Sequence, residues 1–560
     1  MNINLKKHYN ELLFLPLGGA REIGMNLNLY HYKGKWLMVD LGAGFADDYF
    51  PGVDMIVPDI SFLKDKVQDL LGIVLTHAHE DHIGAVQYLW EELRCPIYTT
   101  PFTSSFLKLR LAETSFAKKV KIHELQESST FKLDPFEIEM VPITHSTPEM
   151  QGLVIRTDLG NVFHTGDWKF DPDPIVGKAT DFARLKKYGD EGILALVGDS
   201  TNVFNQQPSG SEGELRESLI ELIGSCKKMV VVATFASNVA RIETILEAAK
   251  RANRVVALAG RSLWRIAEAA RQSGYLKDAP EFINQDSIRD IPREKLLVIA
   301  TGCQGEPLAA TTKMAFDSHN FIRLNRGDNV IFSSKIIPGN DKKIFRVFNQ
   351  FVHMGVEVFT EKDHFVHVSG HPSSVELKQM YELIRPQVSV PVHGELVHMH
   401  EHARLAKIWG VPSAIQVENG VLSRLAPGEP ENIAVVPSGY LGVDGNYLLS
   451  GNSGVMKMRR KLAKDGIVLV FIITDQDGIA LRAPIIKAPG VLDAKEDDLV
   501  IREIEDEIDY VFEQHYKSTS KKKHISDDTL SNLARQATRR ILREEIGKVP
   551  VIDVHIERLK

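Results

Sequence analysis

The chain has 560 residues, 43% of them hydrophobic and 25% charged, which are ordinary globular proportions; it is too long for one core, and about two to four domains are expected. The net charge of −7 neither requires nor excludes a nucleic-acid partner, because a basic channel can sit on an acidic protein. Cys95, Cys226 and Cys303 lie far apart and are odd in number, which argues against a disulfide framework and suits a reducing compartment.

The apolar stretch at 12–17 is too short for a membrane span and has no cleavage site after it, so a soluble, cytoplasmic protein without membrane contact is expected. Glycine-punctuated sequence at 18–26 leads into alternating runs at 27–30 and 35–40, joined by Lys33-Gly34, which predict a β-hairpin. Asp40 ends its strand, placed either to form a turn or to orient a metal-bound histidine.

The apolar run at 72–75 reads as a buried strand, and it delivers Thr76-His77-Ala78-His79-Glu80-Asp81-His82 at its end. His77 and His79, two apart on an extended segment, point the same way and can share one ion. Asp81 and His82, where the chain turns, are free to serve a second. This density of imidazole and carboxylate predicts a two-metal hydrolase.

Further strands end in the same chemistry. The alternating run at 136–140 leads to His145, a hairpin at 152–167 ends at Asp167, and the run at 194–198 ends at Asp199. A carboxylate such as Asp167 can bridge two cations, which imidazole cannot. So many strands ending in His or Asp predict one metal-binding edge of a sheet sandwich.

From about 208 the pattern becomes alternating strand and helix, with helices over 212–225, 238–252 and 263–273 and strands at 229–233, 255–259, 297–302 and 329–334. That alternation predicts a parallel sheet covered by helices. The loop after it is either an ordinary turn built on Pro338-Gly339 or one that offers Ser334 and Lys335 to a phosphate. Histidines then return at 364, 367, 371 and 393, so a first domain interrupted by the α/β insert and completed afterwards is expected. His398, His400 and His402, on the helix after His393, are expected at the surface. The last hundred residues read as a strand, a helix over 501–516, a basic linker at 518–523, a helix over 527–546 and a closing strand.

These residues resemble the metallo-β-lactamase-fold nucleases with a β-CASP insert, and within them the ribonuclease J family. The resemblance rests on His77-x-His79-x-Asp81-His82, His145, Asp167, Asp199, His393, the phrase Gly18-Gly19…Glu22-Ile23-Gly24-Met25-Asn26 and His367-Val368-Ser369-Gly370-His371, and it spans the chain. It implies an α/β fold: a metallo-β-lactamase αββα sandwich over 1–207 and 364–430, a β-CASP insert over 208–363, a linker at 431–450 and a small α+β domain at 451–560. One metal would be held by His77, His79, His145 and Asp167, the other by Asp81, His82, His393 and the shared Asp167. The ions would be Zn²⁺, Mn²⁺ or both.

The same resemblance implies hydrolysis of single-stranded RNA in maturation and decay, 5′-to-3′ from 5′-monophosphate ends, with internal cleavage as well. In that reading Asp81 helps hold the attacking hydroxide, His367 protonates the leaving 3′-oxygen, and Asp199 orients His367 or a ligand. Ser369, Gly370 and His371, with Ser334, would receive the terminal phosphate, although Pro372 replaces the small residue usual after that histidine. A homodimer or homotetramer and RNA-decay partners are implied too. A glyoxalase- or lactonase-like hydrolase would share the first His cluster but would not need the insert or the C-terminal module. A scaffold without activity would have lost a ligand such as Asp81, and none is lost.

Overall fold

The computed structural model describes residues 4–337, 339–493, 495–518 and 524–559. Pro338 and all of the expected basic linker except Ser518 lie outside the described residues. The chain forms two compact units, one comprising the residues up to Gly44 with Val57–Gly439 and the other Phe45–Ile56 with Tyr440–Lys560.

In the first unit, an eight-stranded sheet runs in the order Glu431–Val435, Val421–Ala426, Leu12–Gly18, Leu27–Tyr32, Lys35–Val39, Leu70–Val74, Ile97–Thr99 and Ile122–Glu124. A seven-stranded sheet runs Thr130–Leu133, Phe136–Pro142, Gln151–Thr157, Gly160–His164, Ala195–Asp199, Val388–Val392 and Ser413–Ala414. Their apolar faces meet in one core that includes Phe14, Tyr30, Leu37, Phe136, Ile138, Leu153, Val197 and Val390. The second sheet's other face packs Val154, Phe163 and Leu196 against Leu185, Leu377, Met380 and Ala406 of three helices, Phe182–Glu191, Ser374–Ile384 and Leu396–Ile408. The result is an αββα sandwich.

Ala195–Asp199 pairs in parallel with Val388–Val392, nearly two hundred residues later in the chain. The intervening sequence holds a five-stranded parallel sheet, Val255–Ala259, Leu296–Ala300, Val230–Ala233, Asn329–Phe332 and Glu357–Phe359. Its three inner strands are buried throughout, as parallel strands with helices on both faces must be, while the edge strand Glu357–Phe359 is exposed to half-buried.

Buried charges tie this insert to the sandwich. Arg241, fully buried, pairs with Glu212 through Nη2 (2.8 Å to Oε1) and Nε (3.1 Å to Oε2), and its Nη1 donates to the carbonyls of Ser333 and Val366. Lys169, two residues after Asp167, lies 2.9 Å from Asp171, which also accepts from Ser211 Oγ and Glu212 N at the insert's first helix.

Two expectations are corrected here. Residues 431–450 are not a linker: Glu431–Val435 pairs with Val421–Ala426, while Tyr440–Asp444 and Tyr447–Ser450 form a hairpin in the second unit. The Pro437-Ser438-Gly439 break suggested a linker, but only about four residues separate the flanking strands. His402 is not at the surface. It is fully buried between Ser200 Oγ and Tyr381 Oη, each 2.9 Å away, whereas His400 is exposed and His398 half-buried.

The second unit contains the helix Gly454–Asp465, expected only as a charged segment, and a three-stranded sheet of Ile485–Lys487, Ile467–Thr474 and Val551–Arg558. Val468, Val470 and Ile472 face Ile504, Ile508, Phe512, Leu530 and Leu542 of the helices Asp498–Ser518 and Asp527–Ile546. The excursion Phe45–Ile56 belongs here too: Phe50 and Val53 pack on Met456. Among the described residues no helix is long and apolar enough to cross a membrane.

Arg241→Met should cost about 3–5 kcal/mol of stability, because it strands the Glu212 charge in the interior. Urea denaturation should show that loss, and the double variant Arg241→Met/Glu212→Gln should recover a substantial part of it.

Candidate metal centre

Each functional side chain stands just past a strand. Leu70–Val74 delivers Thr76 to His79, and the short helix Glu80–Ile83 then turns Asp81 and His82 back toward the same point. Phe136–Pro142 leads to His145, Gly160–His164 to Asp167, Ala195–Asp199 ends on Asp199, and Val388–Val392 leads to His393. The backbone is forced at two of these points. Asp40 (φ 63°) and His393 (φ 51°) are left-handed, a conformation that non-glycine residues rarely hold without surrounding reinforcement. Asp40 N donates to Val74 O (2.9 Å) and His393 N to Gly19 O (2.6 Å), which supply it. Gly42 passes so close to the Asp81 loop that an added Cβ would lie 1.7 Å from Asp81 O.

Three overlapping donor sets result. His77, His79, His145 and Asp167 form one, Asp81, His82, Asp167 and His393 a second, and Asp167, Asp199, His371 and His393 a third, each with ligand atoms within 4.8 Å of one another. Asp167 belongs to all three. His82 Nε2 is 3.1 Å from Asp167 Oδ2, and His393 Nε2 is 3.1 Å from Asp81 Oδ2. His145 Nε2 and His79 Nδ1 are 3.1 Å apart. His77 Nε2 is buried with no hydrogen-bond partner, while its Nδ1 lies 3.0 Å from Thr76 Oγ1. A buried imidazole nitrogen left bare within a ring of imidazoles and carboxylates fits a divalent cation.

The electrostatics agree. Burial and the neighbouring imidazoles hold His77 well below its ordinary pKa, and burial, with His79 next, does the same to His145. His79 is lowered to about 4, chiefly by burial. These three are neutral and offer lone pairs. For His82 and His393 burial acts downward, but the adjoining carboxylates, Asp167 foremost, outweigh it and raise both well above the usual value. Asp81, Asp167 and Asp199 stay ionised below the carboxylate range despite burial, chiefly because of His82 for Asp81, His393 for Asp167 and His371 for Asp199. Two imidazolium charges thus answer carboxylates that a metal cation would otherwise neutralise.

The supporting contacts are specific. Asp40 Oδ2 is 2.7 Å from His82 Nδ1, and the Asp40 carboxylate accepts from Thr76 N (2.8 Å) and Oγ1 (2.9 Å). Of the two roles open to Asp40 in sequence, the structure has it orienting a histidine. Thr201 Oγ1 is 2.7 Å from His393 Nδ1, and Asn26 Nδ2 reaches Asp81 O (3.2 Å) and His82 Nε2 (3.0 Å). Thr76 and Thr201 carried no signal beyond standing next to, or two residues after, a carboxylate or histidine.

Of the two histidines of His367-Val368-Ser369-Gly370-His371, the structure brings His371, and not His367, against Asp199. His371 Nδ1 lies 2.8 Å from Asp199 Oδ2 and 3.9 Å from Asp167 Oδ2, at the cluster itself. His367 makes no hydrogen bond to the cluster. Its Nδ1 is buried without a partner, and burial with the charges of Arg241, Lys335 and Lys169 holds its pKa well down. Asp199 therefore orients His371 and His393, not His367. The spacing is the reason: four residues of irregular backbone give no rule for which ring turns inward. Ser369 Oγ accepts from His371 N (3.0 Å) and Asn202 Nδ2 (3.3 Å), and Gly370 O lies 2.6 Å from His145 Nδ1. Ser334 is buried, with its hydroxyl beside the Cys303 thiol.

Comparison with known proteins agrees along the chain. Residues 36–184 match the β-lactamase superfamily domain, 227–351 the ribonuclease J β-CASP domain, 355–417 the Zn-dependent metallo-hydrolase RNA specificity domain and 454–559 the ribonuclease J C-terminal domain. A ribonuclease J of Sinorhizobium meliloti is 40% identical over 553 residues, covering 98% of each chain. One of Corynebacterium glutamicum is 37% identical over 86% of this chain and 67% of its own, and one of Thermus thermophilus 34% identical over 83% of both. A solved Enterococcus faecalis structure, described as a protein of unknown function, shares the fold with TM-score 0.51 at 18% identity, over 74% of this chain and 99% of that one.

A methyl group on Gly370 would lie 2.9 Å from His145 Cε1 and 3.2 Å from both its Nδ1 and Ser146 Oγ. Gly370→Ala should displace His145, and elemental analysis after dialysis should find reduced zinc and manganese retention with an unchanged far-ultraviolet spectrum.

Proposed function

This chain belongs to the ribonuclease J family of metal-dependent RNA hydrolases, and we propose that it degrades single-stranded RNA 5′-to-3′ from 5′-monophosphate ends, with internal cleavage as a second activity. The observation that carries this reading is the pair of donor sets sharing Asp167, with the His371–Asp199 pair directly alongside. His77, His79, His145 and Asp167 would hold one ion; Asp81, His82, His393 and Asp167 would hold the other. The imidazole-rich sets suit Zn²⁺, and the carboxylate oxygens admit Mn²⁺. When bound, the ions activate a water at neutral pH and neutralise charge gathering on the phosphate.

The chain's own residues do the rest. Asp81 accepts a hydrogen bond at the mouth of the second set and is placed to orient the attacking water. His371, held through Nδ1 by Asp199, presents its other ring nitrogen to the substrate and protonates the leaving 3′-oxygen. His367, with its bare Nδ1, Ser369 and Gly370 receive the terminal phosphate among the charges of Arg241, Lys335 and Lys169. A bare imidazole nitrogen with hydroxyl and backbone donors beside it suits a compact dianion. Ser334, next in the chain to the Ser333 whose Oγ donates to Val366 O, would join them.

The sandwich over 1–207 and 364–430 would then supply the metals and the insert over 208–363 one wall of the RNA path. Work in rRNA and mRNA maturation and decay, in the cytoplasm and with RNA-decay partners, follows from family membership. Self-association as a homodimer or homotetramer is supported by the C-terminal sheet, whose face away from its helices presents Phe471 (38% exposed) and Ile485.

The test uses one 5′-labelled RNA in 5′-monophosphate, 5′-hydroxyl and 5′-triphosphate forms with Mn²⁺ or Mg²⁺. Labelled mononucleotide should appear quickly from the monophosphate form alone. His371→Ala should lower kcat roughly 10²–10⁴-fold with KM little changed, whereas His367→Ala should abolish the preference for the monophosphate end. Long labelled fragments from all three forms would make the protein chiefly an endonuclease. The reverse pattern in the two variants would return the acid role to His367.

A further inference from the structure

The turn between Asp199 and the insert carries a side chain that neither folding nor the metal centre uses. Phe204 is 57% exposed, yet its backbone is held firmly. Val203 beside it is buried, Val203 N donates to Ser200 O (3.2 Å), and Asn205 N to Asn202 O (2.9 Å). Asn205 O in turn accepts from Ser374 N and Ser374 Oγ, both at 2.9 Å. The same turn reaches the site on two sides, through Thr201 Oγ1 to His393 and Asn202 Nδ2 to Ser369.

The Phe204 ring lies 5.4 Å, centroid to centroid, from the imidazole of His398. His398 is pressed against the backbone after His393: a Cβ on Gly394 would lie 2.9 Å from His398 Cβ and 3.0 Å from Ser200 Cβ. Its Nδ1 is buried without a partner. Leu396 (44% exposed) and Val397 (61% exposed) extend the apolar surface along the start of the same helix. An aromatic side chain left in water on a rigid turn, one residue pair away from a metal-centre histidine, has no packing purpose in the fold. What passes this point in a nuclease is a chain of nucleotides, and every nucleobase has a π-face.

We propose that Phe204, backed by the His398 ring tilted 59° behind it, forms a stacking shelf for one nucleobase of the RNA beside the metal centre, accepting any base and fixing the strand's position relative to the cleaved bond. This rests on the ribonuclease reading. It gives the enzyme a hold on the substrate that is independent of the terminal phosphate and indifferent to sequence, as an enzyme moving along RNA requires.

The experiment compares wild type with Phe204→Ala, Phe204→Leu and Phe204→Tyr on 5′-monophosphorylated RNAs, each intact or with a single abasic residue at one of the first several positions. Because Phe204 is exposed, the variants should melt with the wild type. Phe204→Ala and Phe204→Leu should lower kcat/KM roughly 5- to 150-fold, mainly through KM, and Phe204→Tyr should retain it. In the wild type one abasic position should carry a comparable penalty, and in Phe204→Ala that penalty should vanish. If the wild type cleaves RNA while Phe204→Ala matches it, or Leu restores activity, or the abasic penalties are equal in both proteins, the shelf is overturned alone. If the wild type cleaves no RNA, the ribonuclease reading falls and the shelf with it.

Discussion

The structure depends on the burial of Asp167 among imidazoles. A carboxylate almost removed from water is tolerable only with positive charge beside it, and the three donor sets that share it are the answer the fold provides. Without a cation, His82 and His393 carry that charge; with one, they would serve as ligands. Other departures from easy backbone geometry serve the same point. His393 and Asp40 are held left-handed by hydrogen bonds to Gly19 and Val74, and glycine at 42 and 370 lets the backbone approach where any side chain would collide. Strain and close approach gathered around one carboxylate are the marks of a site that over-determines its ligands.

Second in importance is the segment from Val366 to His371, which is secured from two directions. The insert grips Val366 O through Arg241 and Ser333 Oγ, whereas the sandwich holds Gly370 O through His145 and His371 through Asp199. Lys169 and Asp171, immediately after Asp167, fasten the insert's first helix to the same region. The groups proposed to receive the terminal phosphate and to protonate the leaving oxygen therefore sit on one short strap between two domains. In the proposed reading, the distance between a bound 5′ end and the cleaved bond would be set by that strap, as removal of one nucleotide at a time requires.

Much of this was readable from residues alone. Apolar runs ending in His or Asp announce strand ends converging on one edge, because strand period and burial are local properties, and the change to alternating strand and helix after 208 marks the insert for the same reason. What escaped depended on tertiary direction. Nothing in His367-x-x-x-His371 says which ring turns inward, since the segment is neither helix nor strand. His402 looks like one more polar residue on an amphipathic helix until Ser200 and Tyr381 are seen to close around it. The excursion at 45–56 joins the C-terminal unit through Phe50 and Val53, a contact some four hundred residues long-range that no local pattern encodes. Pro437-Ser438-Gly439 suggested a longer linker than the few residues that separate two strands.

The most direct measurement is anomalous diffraction from crystals grown with Zn²⁺ or Mn²⁺. The account predicts two peaks, one within ligand distance of His77, His79, His145 and Asp167, the other of Asp81, His82, His393 and Asp167, with the Asp167 carboxylate touching both. A single ion, or a peak seated instead among Asp199, His371 and His393, would contradict it: His371 would then be a ligand rather than a proton donor, and the two-metal account would fail.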